Sequence, residues 1–356
     1  MRITFVLPPL NMSGGIRVIA IYADRLRRRG HEVVVVHPPN RPIGIHERLR
    51  SVVDGRGWPE LRRRSPTHFD GVDVPTHMLD EYRAVVNEDV PDADIVVATW
   101  WETAHWVAAL SKAKGAKAYF MQDYGASGQP LEELKRTWKL PLHIVTISNW
   151  LADLVEVHSG TKPSLVKCAV DAALFRLPAR SMPTVPQVGF TYTPSPQKGI
   201  DVCISAIELA RQRVPGLRAI CFGSTRPGPD LPLPPDTTFG YRVRDAELKH
   251  FYGECTAWLF GSRREGFGLP ILEAMACGTP VIATPAGAAP ELVTDVRGRL
   301  IPVDDPEAMA EAIVSLCGMS PEAWMRLSAA AYDFATGYTL DDATDRFEEV
   351  LKIALG

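Results

Sequence analysis

Short apolar runs, each followed by a stretch with the period of an amphipathic helix, recur along this chain in two series. In the first series the runs are Ile3–Leu7, Val33–Val36, Ile95–Ala98, Ala116–Met121, Ile144–Ile147 and Ser164–Cys168. The first helix pattern extends from Gly15 to Arg29 and stops at Gly30, a natural C-terminal glycine. The second series has runs at Gln187–Tyr192, Arg218–Phe222, Thr237–Gly240, Ala257–Phe260, Pro280–Ala283 and Arg299–Ile301. Its helix patterns are Gly199–Arg213, Asp245–Gly253, Leu269–Ala276, Ala288–Val293, Pro306–Leu316 and Pro321–Ala335, and a last one closes the chain at Leu340–Ala354. Short runs that do not alternate with polar residues suit strands buried on both faces, so each series predicts a parallel sheet covered by helices. Residues 171–187 hold Pro178, Pro183 and Pro186 and have no sustained period, so they read as a linker. The expected organisation is an N-terminal domain over 1–170, the linker, a C-terminal domain over 188–337, and a helix over 338–356 that packs back on the first domain. Open α/β sheets bind ligands beyond the carboxyl ends of their strands, so functional residues are expected in the loops that follow strands.

The length of 356 residues suits two such domains, and 46% hydrophobic residues supply a core for both. A net charge of −3 gives no general attraction to nucleic acid. No apolar stretch approaches the roughly 20 residues of a membrane span, and the opening MRITFVLPPL reads as a first strand, not a signal peptide. The six cysteines show no C-x-x-C pairing, as expected of small buried residues in a reducing compartment. The nine histidines form no H-E-x-x-H cluster, so no protein-built metal site and no cofactor are expected. The expected location is the cytoplasm.

The stretch Ser262–Thr284, SRREGFGLPILEAMACGTPVIAT, carries the most chemistry. It follows the apolar run Ala257–Phe260. Glu265 and Glu273 bracket the turn residues Gly266, Phe267, Gly268 and Leu269, and Pro270 opens a helix. A glycine turn feeding a helix N-terminus presents backbone N–H groups and attracts a diphosphate without metal. A carboxylate one turn inside, Glu273, can accept two adjacent hydroxyls such as those of a ribose. An ordinary strand–turn–helix corner with acids near the helix start accounts for either glutamate taken alone.

This pattern resembles the E-x7-E region of retaining glycosyltransferases of the GT-B fold, glycosyltransferase family 4 in particular. Other elements in chain order strengthen the likeness: Asn11-Met12-Ser13-Gly14-Gly15 after the first strand, Arg29-Gly30-His31-Glu32-Val33, Thr146-Ile147-Ser148-Asn149-Trp150, Val170-Asp171 with Phe175, and Gln197-Lys198-Gly199-Ile200-Asp201. The resemblance implies an α/β GT-B architecture, two Rossmann-like doubly wound domains facing across a cleft. It implies transfer of a sugar, with retention and without metal, from a nucleotide-diphosphate donor to a saccharide, lipid-linked or small-molecule acceptor. By the same likeness, Glu273 holds the nucleotide ribose and Glu265 meets the transferred sugar. Backbone groups of Phe267, Gly268 and Leu269 meet sugar and phosphates, and Lys198 neutralises the departing diphosphate. Gly14 and Gly15 let the first loop approach the phosphates.

The chain departs from the family in two places. The arginine usual some five residues before the lysine is missing from Phe190-Thr191-Tyr192-Thr193-Pro194, which leaves either Arg263, Arg264 or Arg17 as a substitute or a weaker phosphate site. The family's N-domain histidine has its counterpart in Met121-Gln122-Asp123-Tyr124-Gly125, where Asp123 or Gln122 takes its place or Asp123 serves as a loop cap. Met121–Tyr124 also resembles bacterial rhamnosyltransferases, which makes deoxythymidine-diphosphate rhamnose a donor to test. Trp100, Trp101 and Glu102 follow a strand, as cleft or acceptor residues do, although interdomain packing suits the two aromatics equally. His105 reads as packing. A nucleotide-sugar epimerase of the same fold and a non-catalytic nucleotide-sugar-binding protein are the alternatives. The basic residues Arg48, Arg50, Arg56, Arg62, Arg63 and Arg64, with Trp58 and Leu61, form either a solvated loop or a peripheral contact with anionic lipid at the inner membrane face.

Overall fold

A computed structural model describes residues 1–42, 44, 66–125 and 130–356. The Arg48–Arg64 cluster, with Trp58 and Leu61, lies outside the described residues. The first domain runs β1 (Arg2–Val6), α1 (Gly14–Arg28), β2 (Glu32–His37), β3 (Thr76–Met78), β4 (Ile95–Ala98), α2 (Trp101–Ala109), β5 (Ala116–Met121), α3 (Leu131–Thr137), β6 (His143–Thr146), α4 (Asn149–Ser159) and β7 (Ser164–Leu165). Its seven strands pair in parallel in the order β3-β2-β1-β4-β5-β6-β7. Phe5 stands opposite Val35 on one side and Val97 on the other. Every residue of β4 is buried, which is why its sequence shows no alternation.

Two features differ from the sequence expectation. Thr76–Met78 joins the sheet as an edge strand although all three residues are exposed, so no apolar run marks it. The run Ser164–Cys168 contributes only Ser164 and Leu165 to pairing; Val166 and Cys168 are buried beyond the last rung.

The linker is not wholly irregular. It holds α5 (Ala172–Phe175), one turn long, whose N-cap Asp171 accepts a hydrogen bond from the Ala173 N–H at 3.0 Å. One turn is too short to show a period. Its Phe175 packs edge-on to Tyr252.

The second domain runs β8 (Gln187–Thr191), α6 (Ile200–Arg211), β9 (Arg218–Gly223), β10 (Thr238–Tyr241), α7 (Asp245–Gly253), β11 (Ala257–Phe260), α8 (Leu269–Ala276), β12 (Val281–Ala283), α9 (Ala289–Leu292), β13 (Gly298–Leu300), α10 (Pro306–Cys317), α11 (Pro321–Thr336) and α12 (Leu340–Leu355). Its six strands are parallel, in the order β10-β9-β8-β11-β12-β13. Helix α12 leaves this domain and packs on the first: the Phe347 ring stacks on Tyr22 at 4.6 Å and lies 5.0 Å from Phe120. Arg25 pairs with Asp341, and Arg29 with Asp345 at 2.6 Å, along the same seam. No cysteine is in a disulfide, and burial pushes the Cys168, Cys203 and Cys277 thiols up to about 12. Among the described residues no helix is long and apolar enough to cross a membrane.

In each sheet the strand order reverses once, between β1 and β4 and between β8 and β11. Chains leaving neighbouring strands at such a point turn to opposite faces and open a crevice between them. The loops after these four strands, with the first turns of the helices they lead into, hold Gly14 and Gly15, Trp100 to Glu102, Lys198, and Ser262 to Leu269.

Candidate functional site

The site forms where α1 of one domain and α8 of the other begin. The first-turn N–H groups of a helix have no intrahelical partner, and its dipole favours negative charge there. A Cβ added at Gly14 would stand 3.2 Å from Leu269 Cδ1, so the two helix starts lie almost in contact across the cleft. Gly268 caps α8 with φ +98°, a left-handed conformation that favours glycine. The buried Phe267 fixes the turn below it, its carbonyl accepting from the Ala288 N–H at 3.1 Å.

The two glutamates have separate partners. Glu273, only 4% exposed, accepts from the Tyr252 hydroxyl at 2.6 Å and pairs with Arg17 of α1. The Arg17 guanidinium also lies 4.0 Å from Asp245. Burial pulls that guanidinium down, and Glu273 more than offsets this, holding it above its ordinary value. Burial, with the Glu273 carboxylate alongside, raises the Tyr252 phenol well above its usual range. Glu265 accepts from Lys198 Nζ at 2.6 Å and from Ser262 Oγ at 3.2 Å. Lys198 ends the short 3-10 turn Pro196–Lys198 after β8, which aims its side chain back at the β11 loop.

The arginine candidates separate clearly. Arg263 is bound bidentately by Asp201 at 2.6 and 3.0 Å, by Asp304 at 2.6 Å and by the Pro196 carbonyl, so it braces the β8 and β11 loops. Arg264 is exposed; its N–H donates to the Gln197 carbonyl at 3.3 Å and its guanidinium lies beside Gly125. Arg17 is the one that reaches Glu273.

From the first domain, Gln122 Nε2 donates to the Gly15 carbonyl at 3.3 Å, and Asp123 Oδ1 accepts from the Tyr124 N–H at 2.7 Å. A Cβ at Gly266 would collide with the Gln122 carbonyl, so the β11 loop rests on this segment backbone to backbone. Trp150 Nε1 donates to the Gly266 carbonyl at 3.1 Å. Glu291 accepts from Asn149 Nδ2 at 2.7 Å and from the Trp150 N–H at 3.0 Å, capping α4 from the opposite domain. Glu102 instead engages its own domain, accepting from Arg41 at 2.5 Å and from the Tyr82 hydroxyl at 3.2 Å. Trp100 caps α2 half-buried, and Trp101 packs against the core. His105 is half-buried on α2.

The structure therefore brings Gly14, Gly15, Leu269, Glu273, Lys198, Glu265 and Asp123 to one cleft and leaves Glu102 in a separate cluster. Sequence reasoning missed Tyr252 and Glu291. Both sit on helices that carry no motif, and only their approach to Glu273 and Asn149 marks them. Among the described residues, no group of three or more His, Cys, Asp or Glu side chains is placed to hold a metal.

Residues 183–318 match the family described as Glycosyl transferases group 1. The chain is 30% identical over 177 residues to a D-inositol 3-phosphate glycosyltransferase of Saccharomonospora viridis, covering 45% of this chain and 41% of that protein. The chain thus spans about two-fifths of the length of that relative. A D-inositol 3-phosphate glycosyltransferase of Mycolicibacterium paratuberculosis aligns over 95% of this chain and 85% of its own length at 25% identity. Among solved structures, Anabaena HepE in complex with UDP and glucose superposes with a TM-score of 0.73 at 18% identity, over 99% of this chain and all of that one. Residues 183–318 are thus similar to the glycosyl transferases group 1 family, and the chain as a whole has the GT-B fold.

Proposed function

We propose that this chain is a retaining glycosyltransferase that takes a sugar from a nucleoside diphosphate and passes it to a saccharide or lipid-linked acceptor. The observation that carries this reading is the meeting of two helix N-termini, at Gly14 and Leu269, beside the buried Glu273 and the Lys198–Glu265 pair. That geometry suits an anion flanked by two polyhydroxylated groups. The complexes of Anabaena HepE with UDP and with UDP-glucose are in keeping with such a ligand.

In the proposed reaction Glu273 accepts the ribose hydroxyls and the first-turn amides of α8 meet the diphosphate. Lys198 sits where charge develops as the bond from the anomeric carbon to the phosphate oxygen breaks, its electron pair leaving with the diphosphate. Glu265 orients the sugar and keeps Lys198 in place. The acceptor oxygen bonds to the anomeric carbon on the face the diphosphate leaves, and its proton passes to a departing phosphate oxygen. This front-face course needs no carboxylate nucleophile, and the cationic and amide partners take the place of a metal.

The test is a panel of UDP-, GDP-, ADP- and dTDP-sugars, dTDP-rhamnose included, incubated with and without saccharide and lipid-linked acceptors, with the product anomer read by NMR. The expected outcome is acceptor-dependent release of one nucleoside diphosphate, undiminished by EDTA, with the donor's anomeric configuration kept. An inverted product, or a covalent sugar adduct on Asp123 or Glu102, would overturn the front-face course. Sugar conversion without acceptor would overturn the transferase reading.

A further inference from the structure

We infer that Arg17 is a second cation, beside Lys198, that meets the donor's diphosphate, and that it does so by exchanging partners with Glu273. The inference rests on the proposed donor site and adds to it a residue with two successive roles. Glu273 has one oxygen on the Tyr252 hydroxyl and the other on Arg17. Tyr252 is fully buried and belongs to the same domain as Glu273, so it is a fixed partner. Arg17 comes from the other domain and its side chain is 18% exposed, so it is the displaceable one. A ribose that takes the Glu273 oxygen now held by Arg17 releases a guanidinium into a site largely closed to water.

An uncompensated charge in such a site is strongly unfavourable, so the released guanidinium needs an anion. The diphosphate is bonded to the same ribose and lies within a side-chain length of the carboxylate that grips it. The other carboxylate beside Arg17, Asp245, stands 4.0 Å away at the limit of an ion pair. Arg17 also sits in the opening turns of α1, next to the Gly14–Leu269 meeting point where the helix dipoles favour negative charge. Of the other arginine candidates, Arg263 is saturated by Asp201 and Asp304, Arg264 is exposed beside Gly125, and the segment Phe190–Pro194 holds no arginine. The planar fork of a guanidinium suits both partners, since carboxylate and phosphate each accept it bidentately. The exchange makes the ribose and the diphosphate bind as a unit, because each frees or occupies the partner of the other.

Calorimetric titration of the full chain with UDP, GDP, ADP and dTDP, and with the four matching nucleosides, tests this in the wild type, Arg17→Met and Arg17→Lys. For the base that the wild type binds, Arg17→Met should weaken the nucleoside diphosphate about tenfold or more, one charge-assisted contact's share. It should leave the nucleoside unchanged or bound more tightly, because the competitor for Glu273 is gone. Arg17→Lys, which keeps the charge and guards against a misfolded Met variant, should recover part of the diphosphate affinity. Equal weakening of diphosphate and nucleoside, or no change in either, would overturn the exchange while leaving the donor site intact. Failure of the wild type to bind any of the four diphosphates would overturn the donor site itself.

Discussion

At the scale of single residues, the two glutamates of the β11–α8 segment carry different burdens. Glu273 is buried with Arg17 and Tyr252 as partners, so removing it leaves a guanidinium and a phenol without their acceptor. Breaking a buried pair from one side destabilises a protein by about 3 kcal/mol or more. Glu273→Ala is therefore expected to lower the urea midpoint markedly as well as to abolish donor binding. Glu265 faces Lys198, whose side chain is 30% exposed and can turn to water. Glu265→Ala is expected to shift stability by about 1 kcal/mol or less while suppressing transfer. Urea melts of the two variants side by side check the contrast, and equal loss of stability would refute it. Both glutamates were legible in the sequence through their spacing and the glycines between them. Their partners were not, because Arg17 and Tyr252 lie 256 and 21 residues away from Glu273 along the chain.

Loops and helices set how the two halves of the site meet. The β11 loop touches the first domain at Gly266, where only hydrogen fits against the Gln122 carbonyl. Gly266→Ala puts a methyl group into that contact. The expected outcome is at least a tenfold fall in kcat/KM together with a lower thermal midpoint, since the contact is backbone on backbone and displacing reacting groups by an ångström is enough to cost that much. Steady-state kinetics alongside a thermal melt checks it. Elements with long periodic or continuous apolar patterns were read from sequence to within a residue or two, as for β4, β5, α7 and α8. The exposed edge strand β3 and the single turn α5 were not, because neither has a buried face long enough to leave a period.

At the scale of the whole molecule, α12 and three histidines, one buried and two partly buried, contribute to stability. Phe347 enters the first domain between Tyr22, Phe120 and Phe5, so it ties the chain's last helix to the other domain's core. Phe347→Ala should cost about 3 kcal/mol or more and loosen the pairing of the domains, measurable by hydrogen exchange along α1 and α12. Burial lowers His37, His68 and His143 below the ordinary 6.5. The unfolded chain then binds more protons than the folded one as the pH drops, so their contribution is full above 6.5 and is lost as pH falls through the lower folded values. Asp89, held down by Arg83, and Asp201, held down by Arg263, add a second loss below the ordinary 3.8. A melting-temperature series is expected to be level between about pH 7 and 8, to fall in two stages on acidification, and to fall again above about pH 9 as the unfolded thiols ionise. A midpoint that rose between pH 7 and 5 would contradict this.

The chain by itself determined that two parallel sheets form, which loops carry the glycines at the two helix starts, and where Glu265 and Glu273 stand around the second of them. Those are local properties of apolar runs, helix starts and turns, written within a few residues of one another. Only the tertiary structure decided which side chains those glutamates hold, that Arg263 is a brace and Arg17 a cleft residue, and that Glu291 caps a helix of the other domain. Ion pairs between distant segments depend on where each backbone points its side chains, and that direction exists only once both domains have packed.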